Sequence, residues 1–142
     1  MMAKLAIAVV VAQATAPPAG DAASWMSGPD IRSTFIGWTL TGAYASGAPF
    51  EETYHDDGTL AYAEADIRVS GNWHVAGQDF CTFYADLMGG CFRAVRLSDN
   101  CYRFFSTADV AGTAPPDGLT TRFVAEGWTN QRPSTCPAQQ NV

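Results

Sequence analysis

The residues best placed to do chemistry are the acids between Glu51 and Asp66. Glu51, Glu52, Asp56, Asp57, Glu64 and Asp66 all precede the next arginine, Arg68. Glu52 and Glu64 alternate in register with Phe50, Tyr54 and Tyr62, on two segments joined by Asp57-Gly58. If that face is buried, both carboxyls are pushed up in pKa unless an arginine pairs with them. Such a pair suits acid–base catalysis or a cation site. The plainer account is a solvated hairpin on an acidic protein. Asp56 and Asp57 read as turn residues, and their spacing does not match a D-x-D-x-D-G calcium loop.

The arginines supply the opposite sign. Arg93, Arg96 and Arg103 lie close together, with Arg93 sharing a face with Cys91, Val95 and Leu97. A guanidinium fork there would hold a carboxylate-bearing ligand, with Glu52 or Glu64 as its partner inside a barrel. The alternative is surface ion pairing, worth about 0–1 kcal/mol per pair. Aromatic residues are plentiful, and Trp73 stands in an alternating series with Ile67, Val69, Gly71 and Val75. Such a stripe makes either a core or a platform for an apolar ligand. The candidate ligand-binding set is therefore Glu52, Tyr54, Tyr62, Glu64, Trp73 and Arg93. His55 and His74 fall on faces that alternate away from the large apolar residues and read as surface histidines. No G-x-S-x-G elbow or phosphate-binding glycine pattern is present. No catalytic residue, metal or cofactor is assigned.

These side chains must be positioned by a chain that is first exported. Met1-Met2-Ala3-Lys4, the apolar run Leu5 to Ala12 and the small-x-small site Ala12-Gln13-Ala14 have the order of a signal peptide, 1–14. The run is too short to span a bilayer, which needs roughly 20 apolar residues. Cleavage after Ala14 leaves 128 of 142 residues and removes Lys4, the one lysine, so seven basic residues face fourteen acidic ones and the net charge passes from −6 to −7. That charge disfavours nucleic acid and anionic lipid. The expected location is periplasmic or secreted.

Cys81, Cys91, Cys101 and Cys136 then read as two disulfides. Three pairings are open, and spacing does not choose among them. Cys81–Cys91 with Cys101–Cys136 is preferred, closing a short loop and tying the tail to the sheet. The cysteine spacings lack the close pairs of a structural zinc site.

The rest of the chain punctuates itself. Residues 15–26 read as a disordered leader. Ser27, Pro29 and Asp30 open a short helix over 28–36, with Ile31 and Phe35 on one face. From Gly37 the pattern alternates with period two. Turns are expected at 45–47, Asp56-Asp57-Gly58, 76–78, 88–90 and 98–100, and Gly71 is a candidate bulge. A last strand is expected over 120–125. The domain limits are 27–126 for a β domain and 127–142 for a tail tied by a disulfide. Together this predicts a mainly β fold: an antiparallel meander of 7–8 short strands, closing into a small barrel or strongly curved sheet, with one short N-terminal helix.

From Met26 to Phe105 the sequence resembles small secreted proteins of unknown function found in alphaproteobacteria. The residues are Ser27-Gly28-x-Asp30-Ile31, Gly37-x-Thr39-Leu40-x-Gly42, Tyr54-x-Asp56-Asp57-Gly58-Thr59, Gly71-x-Trp73-x-Val75 and Phe80-Cys81 with Cys91. The run is also loosely similar to lipocalin-like β domains, which implies a ligand pocket inside a barrel. Three roles are then expected in order. The first is a non-enzymatic binding or interaction module for a small apolar or carboxylate-bearing ligand, or for another exported protein. The second is a hydrolase-type enzyme using Glu52 and Glu64. The third is a protein inhibitor presenting loop 86–90.

Overall fold

The computed structural model describes residues 24–112 and 122–137. The expected signal peptide lies outside them. So does most of the expected leader, whose last two residues, Trp25 and Met26, are buried. Met26 donates its backbone N–H to the Ala94 carbonyl at 2.9 Å, which fixes the chain before the first helix.

Helix α1, Gly28–Phe35, starts where its capping chemistry says it should. The Ser27 hydroxyl accepts the Asp30 N–H, and Pro29 sits in the first turn. Ile31 and Phe35 are fully buried. The Phe35 ring meets Phe80, Tyr102 and Phe104 at 5.0–5.7 Å between centroids, so the helix stoppers one end of the sheet.

The strands are β1 Thr39–Tyr44, β2 Pro49–Tyr54, β3 Thr59–Glu64, β4 Ile67–Ala76, β5 Asp79–Tyr84, β6 Gly90–Ser98, β7 Cys101–Ser106 and β8 Ala125–Thr129. A one-turn helix, α2 Thr107–Val110, follows β7. Each strand pairs antiparallel with its sequence neighbour, and β8 returns to β1, giving a closed eight-stranded barrel. Closure removes both sheet edges, which the two short described helices are too small to cover. At the β2–β3 turn, Gly58 takes φ +89°, and Asp57 Oδ1 accepts both the N–H and the hydroxyl of Thr59.

Two expectations are corrected by register. Gly71 is no bulge: it pairs regularly with Leu60 and Tyr84, and a Cβ there would stand 2.2 Å from the Phe83 carbonyl oxygen. The glycine allows close backbone approach. The irregularity falls instead between Arg96 and Ser98. The last described strand is 125–129, so Gly127 and Trp128 belong to the sheet and not to a tail.

Both preferred disulfides form. Cys81–Cys91 staples the paired residues of β5 and β6, and Cys101–Cys136 ties the segment after β8 to the start of β7. Asn100 reinforces that tie. Its side chain donates to the carbonyls of Thr129 and Arg132 and accepts the Thr129 N–H. The interior core runs from Ile31 and Phe35 through Leu40, Leu60, Phe80 and Tyr102. A second cluster, Trp25, Val95, Phe105 and Val110, covers the outside of β6 and β7. No helix among the described residues is long and apolar enough to cross a membrane.

Candidate functional site

The up-and-down order puts α1 and the turns at 55–58 and 77–78 at one end of the barrel. The connections at 45–48, 65–66 and 85–89 lie at the other. Toward this second end, among the described residues, the core gives way to a cavity of about 240 Å³. Its wall is mostly apolar: Leu40, Phe50, Phe80, Phe92, Phe104 and Ala125. The polar groups on it are Glu52, Thr82 and the hydroxyls of Tyr44, Tyr54 and Tyr84, and Met88 and Gly89 reach it from the β5–β6 loop. Ordinary ligand pockets run from roughly 300 to 1,000 Å³, so this one suits a small guest.

Glu52 sits at mid-depth, between Phe50 near the mouth and Tyr54 toward the helix-closed end. It is 7% exposed. The Tyr84 hydroxyl donates to Glu52 Oε1, and the Tyr54 hydroxyl also hydrogen-bonds the carboxyl. Burial pushes the Glu52 pKa up to about 7, against the smaller downward pull of those two hydroxyls. Burial likewise raises Tyr54 and Tyr84, with the nearby Glu52 carboxylate as a second cause. Both therefore stay protonated, as donors, wherever the fold is used.

A second polar chain lies at the rim. The Tyr44 and Tyr62 hydroxyls are 2.6 Å apart, and Tyr62 donates to Glu64 Oε2 at 2.5 Å. Burial raises the pKa of both tyrosines. Glu64 does not line the cavity. The two acids therefore do not converge on one pocket, as an acid–base pair would require.

The remaining expected site residues are placed elsewhere. Trp73 packs inward against Phe80 and donates its indole N–H to the His55 carbonyl at 2.7 Å, with Arg32 over its ring. It is a supporting residue of the core. Arg93 is the larger correction. It lies on the outer parity of β6 with Val95, where it pairs with Asp79 at 2.9 Å, and Thr107 also bonds that aspartate. The basis for a carboxylate-bearing ligand inside the barrel goes with it.

Arg103 behaves similarly, pairing with Glu126 at 2.6 Å on the outside and lying over Phe123. The cysteines beside Glu126, Cys101 and Cys136, are joined to each other, so that cluster offers no thiolate to a metal. Both histidines are exposed, and His74 stacks on Phe83.

Sequence reasoning missed Tyr44, Thr82 and Tyr84 as site residues. Their parity was readable, since Thr82 and Tyr84 share a strand face with Phe80, and Tyr44 shares one with Leu40. That the Tyr84 hydroxyl on β5 ends on Glu52 of β2, 32 residues away in sequence, was not. No protein-family profile, curated protein or solved structure matches the chain.

Proposed function

We propose that this protein is an exported, non-enzymatic carrier or binding module that holds one small molecule in its barrel, toward the end opposite α1. The observation that carries the reading is the interior cavity, apolar on most of its wall and furnished with one buried carboxyl among hydroxyl donors. That composition matches a ligand site with an apolar body and a few orienting polar groups. Two disulfides are what a small barrel in an oxidising, periplasmic or extracellular setting uses.

The volume corresponds to about eight water molecules at ~30 Å³ each, hence a guest of roughly eight to ten non-hydrogen atoms. Amide NMR spectra with uncharged aromatic molecules of that size, such as 2-phenylethanol, test it. Shifts are expected along β2, β5 and β6 near the cavity, and they vanish when Ala125→Phe fills it. No shift, or shifts confined to the outer surface, contradicts the reading.

One observation favours a second role. Met88, at the tip of the 86–90 loop, is 98% exposed, as a loop that inserts into a target enzyme would be. Native mass spectrometry of the exported fraction finding a bound protein, lost in Met88→Asp, supports that role.

A further inference from the structure

We propose that the barrel's ligand carries a protonated amine, held by the Glu52 carboxylate within the aromatic wall. This rests on the carrier reading and adds its specificity. The geometry is the argument. Tyr54 and Tyr84 each give one hydrogen bond to Glu52. A carboxylate has roughly four acceptor positions, so capacity remains for the N–H groups of a cation.

The surroundings point the same way. No described arginine or histidine lines the cavity. From β1 the group facing Glu52 is Tyr44, and from its own strand Tyr54. Tyr62 stands opposite it on β3, with Glu64 beyond. β5 contributes Tyr84 and Thr82, while β6, β7 and β8 add only Phe92, Phe104 and Ala125. Among the described residues the site therefore holds acceptors, hydroxyls and ring faces, and no positive charge. Ring faces attract cations, and an ammonium over tyrosine or phenylalanine gains about 0.5–2 kcal/mol, most when desolvated. Tyr44 and Phe50 stack at 4.7 Å and present such a wall near the mouth. An anionic guest would meet Glu52 with nothing to offset it.

Three probes share one body and differ in headgroup: 2-phenylethylamine, 2-phenylethanol and phenylacetate. At about pH 8 the amine is expected to bind at least tenfold tighter than the alcohol, and phenylacetate weakest. Because Glu52 must be ionised and titrates near 7, amine affinity falls about tenfold from pH 8 to pH 6 while alcohol affinity holds. Glu52→Gln brings the amine down to the alcohol's level; the pH series on the unaltered protein gives the same answer independently of that variant's folding.

Equal binding of amine and alcohol, or an amine affinity flat with pH, overturns the amine assignment and leaves the carrier. Failure of all three probes to bind overturns both.

Discussion

Replacing Cys101 and Cys136 together by alanine is expected to lower stability by about 4 kcal/mol. The bond closes a separation of 35 residues, whereas Cys81–Cys91 closes 10. In the chain-entropy view, the longer loop loses more freedom in the unfolded state, and removing the shorter bond is expected to cost about 3 kcal/mol. The local setting agrees with that ranking. Cys81 and Cys91 are already directly paired across β5 and β6, so the ladder keeps them adjacent without the bond. Cys136 lies beyond the last strand, and its segment is otherwise held by Asn100 and by Thr135, whose hydroxyl accepts the Asn100 N–H. Urea unfolding of the two double variants measures both losses. A loss below about 1 kcal/mol for the long bond would mean that the hydrogen bonds around Asn100 anchor the segment by themselves.

Glu52→Gln is expected to stabilise the protein at alkaline pH and to do little in acid. The folded pKa, about 7, lies above the carboxyl's ordinary 4.5. The folded state therefore keeps a proton that the unfolded chain gives up between those values. Stability is highest below about 4.5, falls as pH rises toward 7 and levels off beyond it, with a total loss of about 3 kcal/mol. Glutamine cannot ionise, and its amide oxygen still accepts from Tyr84. The variant's melting curve should track the parent at about pH 4 and exceed it by about 3 kcal/mol at about pH 8. Parallel curves across that range would place Glu52 in water. A carboxyl that weakens its own fold at neutral pH is what a binding site retains and a core does not.

Much of the barrel was legible because its hairpins announce themselves. Asp57-Gly58 demanded a tight turn, Phe50, Glu52 and Tyr54 declared one face, and Ser27 marked the helix start. The same logic does not locate β8. Its inward residues, Ala125, Gly127 and Thr129, are small, so no apolar alternation marks it. Arg93 has no face legible from sequence, because both faces of β6 carry apolar residues. The interior takes Phe92 and Ala94, and the exterior places Val95 under Trp25 and Phe105. Parity alone cannot say which side is inside when a second cluster covers the outside.

Glu52 was readable as a candidate, since its neighbours in register are aromatic. Its separation from Glu64 was not, because both face inward on neighbouring strands and only the register, Glu52 opposite Tyr62, sets them at different depths. The Tyr84 hydroxyl joins the site across the interior of the curled sheet, which no local pattern encodes.

The most direct test is a carbon-13 NMR titration of the Glu52 side-chain carboxyl, assigned with Glu52→Gln, in ligand-free protein. A midpoint near 7 is expected, with displacement to lower pH when 2-phenylethylamine is added. A midpoint near 4.5 that the amine leaves unmoved would contradict a dry, carboxyl-keyed cavity.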